Sequence, residues 1–204
     1  MDVSFWQELA GLDPEAVCRG SGAVHDRDGY RLRALGSPYT VDPKQREVRC
    51  CPDHTGAAED GQMACGSLEL LIVHYLLNAR DMPLSEAWLG LQEFGGVNRF
   101  FVSHEPNFDR LMPLFAEASD AVVRAARSLG GGPLDLGDLA VQLQVLPRVP
   151  IAFVYWEASE EFPASASVLL DRTAEHHLPL DVMSTAVQQA IATLVDVASF
   201  EKGR

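Results

Sequence analysis

The chain has 204 residues, 47% of them hydrophobic, with 29 acidic against 16 basic side chains and a formal net charge of -13. That composition excludes a disordered chain and disfavours nucleic-acid binding, because an acidic surface repels phosphate backbones. The densest basic stretches, 27–33 and 44–49, are each diluted by Asp or Glu.

The first residues, MDVSFWQELAGLDPEAVC, lack a positive leader and a long apolar run, so no secretory signal is expected. A short helix is expected over 5–10. Asp13-Pro14-Glu15 then gives a cap followed by proline, which predicts a second short helix over 14–19. Residues 29–50 alternate apolar and polar between turn signals at Gly36-Ser37-Pro38 and Asp42-Pro43. This is the pattern of a small antiparallel meander. Ser67 is expected to cap a helix running to Ala79, with Leu68, Leu71, Ile72, Tyr75 and Leu76 on one face. Its apolar run, LELLIVHYLL, is about half a membrane span and holds Glu69 and His74. His74 is expected to be a hydrogen-bonded core histidine.

Residues 88–94 read as a strand, with Phe100 and Phe101 as core anchors after it. A helix from Asn107 to Leu129 is expected to break at Pro113. Leu139–Leu146, Val149–Trp156 and Ser165–Leu170 read as strands, followed by a turn of helix at 173–177. Asp181 is expected to open a final helix reaching Val197. Helices and strands come in blocks, which predicts an α+β fold, a mostly antiparallel sheet packed against several helices, with a small N-terminal meander. The expected organisation is a single domain over 1–204: a helical segment (1–28), the meander and a cysteine-containing loop (29–66), and the main body (67–204).

Two constellations carry chemistry. The first is CCPDHTGAAEDGQMAC, residues 50–65. Cys51 and His54 have the spacing of a chelating knuckle, Cys65 returns after ten intervening residues, and Cys50 or Cys18 could complete a metal or cluster site. Against this, adjacent cysteines diverge and no paired CxxC units occur, so free thiols or a labile disulfide are the competing readings. The second is Trp156, Glu160 and Glu161 followed by Asp171, His176 and His177, with His104 as a further candidate. Imidazoles and carboxylates at strand ends suit a borderline metal or acid–base work. The competing reading makes Glu160-Glu161 a solvated hairpin tip, Asp171 and Asp181 helix caps, and Trp156 a core aromatic.

LIVHYLLNARDMPLSEAWLGLQEFGG (71–96) and GDLAVQLQVLPRVPIAFVYWEASEEFPASASVLLDRTAEHHLP (137–179) resemble the domain of unknown function 3786 family. The resemblance implies recurring polar residues at His74, Glu93, Asp138, Arg148, Trp156, Glu160, Glu161, Asp171 and His176. It also implies an anaerobic setting and association with an iron-sulfur domain of the corrinoid one-carbon kind. This chain departs from the pattern at His177, where a tyrosine is expected, and in the cysteine loop. The leading expectation is thus a cytoplasmic accessory or binding protein. It would handle a metal, iron-sulfur or corrinoid-type cofactor, with an iron-sulfur or corrinoid protein as possible partner and with no nucleic acid or membrane. The alternatives are a metal-assisted hydrolase, with Asp171, His176 and His177 as ligands and Glu161 as base, and a protein-interaction module without a small ligand.

Overall fold

The computed structural model describes residues 2–51, 66–94 and 106–203. Phe100, Phe101, His104, His54 and Cys65 therefore lie outside the described residues. The expected α+β class is the one observed: the described residues form two antiparallel sheets and six helices.

Helix α1 (Val3–Gly11) is capped by Asp2, and α2 (Pro14–Ser21) by Asp13, whose carboxylate accepts from the Glu15 and Ala16 amides. The meander follows as β1 (Val24–Asp26), β2 (Gly29–Ala34), β3 (Ser37–Asp42) and β4 (Glu47–Cys50), paired in chain order. Alternation sorts its faces as period-2 geometry requires. Tyr30, Leu32, Ala34, Tyr39, Val41 and Val48 are buried, whereas Arg31, Arg33 and Arg49 are exposed.

The turn between β2 and β3 lies one residue earlier than the sequence suggests. Ala34 pairs with Ser37, leaving Leu35 (φ 48°) and Gly36 (φ 78°) as a two-residue loop with both φ positive. A leucine in that conformation is unusual. It is held there because its side chain is buried and its amide donates to the Val145 carbonyl of the other sheet at 3.0 Å. Pro38 belongs to β3 rather than to the turn. Its carbonyl accepts the Cys51 amide at 2.8 Å, but it has no N–H to return, so the β3–β4 ladder ends there.

Helix α3 (Ser67–Asn78) follows Gly66 and has no side-chain cap; the Ser67 hydroxyl instead accepts from Gln189 at 3.2 Å. The expected strand at 88–94 is only β5 (Trp88–Gly90), because Leu91–Glu93 tightens into a 3-10 turn whose Glu93 accepts the Gly90 amide. Helices α4 (Met112–Glu117) and α5 (Ser119–Ser128) break at Ala118, not at Pro113. Pro113 sits in the first turn of α4, where a missing N–H costs no intrahelical bond.

The main sheet has the order β5-β9-β8-β7-β6, with β6 at Gly132–Leu134, β7 at Leu139–Leu146, β8 at Val149–Trp156 and β9 at Ser165–Asp171. Successive residues of β8 point to opposite faces, and all from Val149 to Tyr155 are buried, so the strand is covered on both sides. A register shift between Gln144 and Leu146 leaves Val145 as a bulge, and it is Val145 that receives Leu35. After a 3-10 turn at Arg172–His176, α6 (Leu180–Lys202) packs against α3 and α5. Asp181 is its second residue, not its cap. Among the described residues no helix is long and apolar enough to cross a membrane.

Candidate ligand-binding cleft

The residues expected to form one histidine and carboxylate site are divided between the two ends of the main sheet. Trp156 pairs with Ser165 at one end of the β8–β9 ladder, and Ile151 pairs with Leu170 at the other. The seven residues of β9 separate the two groups by roughly 20 Å.

At the first end, Trp156 is 40% exposed rather than a core aromatic, and Glu160, Glu161 and Phe162 are exposed with it. Strand β8 outlasts its packing there, so the ring emerges beyond the covered part of the sheet. The Ser159 amide donates to the Phe162 carbonyl, closing the hairpin tip.

At the other end, Asp171 is buried, and five neutral donors already occupy its carboxylate. They are the amides of Ser85 (3.1 Å), Glu86 (2.8 Å) and Thr173 (2.9 Å) and the hydroxyls of Ser85 (2.9 Å) and Thr173 (2.7 Å). Burial pushes its pKa up, but the bonds from Thr173 and Ser85 outweigh this and hold it below the usual value. His177 is fully buried. Its Nδ1 accepts the Arg80 amide at 3.3 Å, so the proton of the neutral ring sits on Nε2, which has no partner among the described residues. Burial, reinforced by the Arg148 and His176 charges, lowers its pKa to about 4. His176 is exposed, so the two adjacent histidines do not share one surface. A hydrolase reading needs Glu161 beside this group, and the sheet holds it at the far end.

Several of the remaining polar residues that the resemblance singles out also bind backbone. Arg148 donates to the carbonyls of Met82 (2.6 Å) and Arg19 (3.0 Å) and to Asp81 (3.0 Å). Asp138 accepts the Glu157 amide at 2.8 Å. His74 is half-buried, its ring centroid 4.4 Å from that of Phe5, and burial lowers its pKa.

The cysteine pair divides as adjacent strand residues do. Cys50 packs beside Tyr39, whose hydroxyl is pushed up to about 12 by burial and by Cys50. Cys51 is exposed on the other face, its sulfur 3.1 Å from the Thr40 hydroxyl. Among the described residues no group of three or more His, Cys, Asp or Glu side chains could hold a metal ion. Cys50 and Cys51 face opposite sides of the strand, so these two thiols do not converge on one ion, and the other two proposed ligands, His54 and Cys65, lie outside the described residues.

Cys51 does line a cleft of about 510 Å³, formed where the outer face of the meander meets the end of α5 and strand β7. Pro38, Leu129 and Pro147 supply apolar wall, Gln144 lies on the β7 side, and Arg31 and Arg33 stand on the meander side. The volume is that of a small-molecule site, and the surface is mostly apolar with a few polar groups, as such sites are. The hairpin tip brings its walls together. A Cβ on Gly36 would come within 2.8 Å of the Ser128 carbonyl oxygen, so glycine is required both for the turn and for the approach to α5. The sequence reading did not select this cleft. The available signal was the placement of Arg31 and Arg33 on one face of an alternating strand.

No curated protein and no solved structure matches this chain. A family model described as "Domain of unknown function (DUF3786)" matches residues 13–193, a span that takes in both the meander and the main sheet. The chain belongs to that family.

Proposed function

We propose that this protein is an accessory protein that binds a small organic ligand in the cleft between its two sheets. The observation that carries the reading is the cleft itself: about 510 Å³ and mostly apolar, with Cys51, Thr40, Gln144 and two arginines on its walls. A whole corrinoid exceeds this volume, so the reading favours a smaller ligand over the cofactor that the family resemblance implies.

Cys51 serves as the reporter for a test. Neutral and charged organic fragments are screened by thermal shift against the full chain. Alkylation of each cysteine by N-ethylmaleimide is then followed by peptide mass spectrometry. Fragments that bind are expected to slow alkylation at Cys51 and to leave Cys18 unchanged. Fragments that stabilise the protein without protecting Cys51 would remove the cleft from consideration, as would a screen with no binders.

A second reading, as an interaction module, is favoured by one observation. Trp156 and Phe162 are exposed among Glu157, Glu160 and Glu161 at the β8–β9 tip. A Phe162→Ser variant that lost a native oligomer or complex on a sizing column, with unchanged melting temperature, would support it.

A further inference from the structure

One end of the main sheet keeps apolar side chains in solvent and carboxylates without ion pairs. The β6–β7 connection (135–138) and the β8–β9 connection (157–164) lie side by side there, because Leu139 pairs with Tyr155 and Trp156 with Ser165. Two bonds join them. The Asp138 amide donates to the Tyr155 carbonyl at 3.0 Å, and the Asp138 carboxylate accepts the Glu157 amide at 2.8 Å. The Trp156 ring lies against Gly137, where a Cβ would come within 3.4 Å of it. Leu136, Trp156 and Phe162 are exposed at this end, Phe162 to 69%. Asp135, Asp138, Glu157, Glu160 and Glu161 stand around them, all exposed. The sequence has no arginine or lysine between Arg127 and Arg148 or between Arg148 and Arg172, and the latter two lie at the far end of these strands. Elsewhere on the surface acids meet bases, as in Arg110–Asp196 (3.1 Å) and Lys202–Glu117 (2.9 Å). Among the described residues, none of the carboxylates around Trp156 and Phe162 makes an ion pair.

Resting on the interaction reading above, we propose that this end of the sheet docks a basic protein segment, one that carries arginine beside an apolar side chain. The segment's apolar side chain covers Leu136, Trp156 and Phe162, and its guanidinium groups meet the surrounding carboxylates. Charge complementarity selects this occupant. An isologous contact with a second copy would bring two sets of the same carboxylates together, and a nucleic acid or an anionic lipid surface would be repelled. An arginine gains twice here, from charge-assisted bonds to carboxylate and from attraction to the exposed indole. An apolar area of so few side chains anchors a short segment, unlike the broad apolar core of an obligate dimer.

The test follows the fluorescence anisotropy of labelled short peptides with the full chain at neutral pH. One peptide mixes arginine with leucine, one mixes arginine with serine at the same charge, and one mixes glutamate with leucine. The arginine–leucine peptide is expected to bind saturably, about tenfold or more tighter than the arginine–serine peptide, and the glutamate–leucine peptide not to bind. Phe162→Ser is expected to weaken the arginine–leucine peptide about fivefold or more and to leave the arginine–serine peptide unchanged. Glu157→Gln/Glu160→Gln/Glu161→Gln is expected to weaken it about tenfold or more and to flatten its salt dependence. The variant Glu8→Gln/Asp120→Asn/Glu175→Gln removes the same charge from exposed positions outside these loops and is expected to leave binding unchanged. All of these side chains are exposed, so the variants are expected to keep the native melting temperature. Equal weakening by the two triple variants, or equal affinity for the two arginine peptides, overturns the proposal, since general attraction to the acidic chain then suffices. Glutamate–leucine binding that Phe162→Ser removes overturns the basic partner and leaves the interaction reading standing, as does a native dimer that Phe162→Ser dissolves. A monomeric native chain that binds none of the peptides overturns both.

Discussion

Asp171 shows how a carboxylate that looks catalytic in sequence can be architectural. Its five donors come from the segment before β5 and from the turn after β9, so one buried charge fixes two loops. Asp171→Asn removes the charge and turns an NH₂ group toward donors. It is expected to destabilise the protein by about 3 kcal/mol, measured by urea unfolding at neutral pH. His177 gives the pH dependence. Its folded pKa of about 4 lies below the ordinary 6.5, so the unfolded chain binds the proton first as pH falls. The stability it contributes is fully present above pH 6.5, falls through the window down to 4, and is gone below it, a loss of about 3 kcal/mol. Asp171, also lowered, adds a loss in the same direction at still more acidic pH. His177→Asn keeps an acceptor for the Arg80 amide and cannot titrate. Its stability is expected to fall much less than that of the native protein between pH 6.5 and 4, the residual slope coming from half-buried His74, whose pKa is also lowered, and a slope equal to that of the native protein would contradict the assignment.

Among the elements, two close approaches decide how the helices and the hairpin dock. In α2, Gly20 faces α3 so closely that a Cβ would lie 2.2 Å from the Ala79 carbonyl oxygen. Gly20→Ala must therefore displace α2, and a cost of about 2–3 kcal/mol is expected by thermal unfolding, although alanine is the better helix former. The β2–β3 tip presents the opposite balance. Leu35→Asn suits the positive φ better but removes a buried leucine side chain. The apolar loss is expected to win, with a net destabilisation of about 1–2 kcal/mol. A more stable Leu35→Asn protein would show that the backbone strain outweighs the packing.

For the whole molecule, legibility followed the origin of each signal. The long stripe on α6 and the continuous run IAFVY in β8 were readable because burial imposes a period or a run on consecutive residues. The short edge strands β1 and β6 were missed, since three residues give no period, and Pro133 argued against pairing that an edge strand tolerates. The site was harder to read. Conspicuous residues such as Asp171, Arg148, Asp138 and Glu93 serve backbone carbonyls and amides. The cleft instead draws on positions near 31–40, 129–130, 144 and 147, several of them glycine or proline, which carry no chemical signature and meet only after folding. Arg31 and Arg33 were visible as a basic stretch, but their neighbouring acids hid the fact that one face of β2 holds the arginines apart.

The bulge at Val145 gives the Leu35 amide a particular use. That proton is held by a carbonyl of the opposite sheet and not by its own hairpin, so it exchanges with solvent when the meander lifts away from β7, even while both sheets stay folded. Its deuterium uptake is therefore a clock for separation of the two sheets. Exchange at Leu35 is expected to be faster than at Val154 in the centre of the main sheet, and to slow when a ligand bridges the cleft. Equal rates at the two amides would mean that the sheets part only when the protein unfolds as a unit.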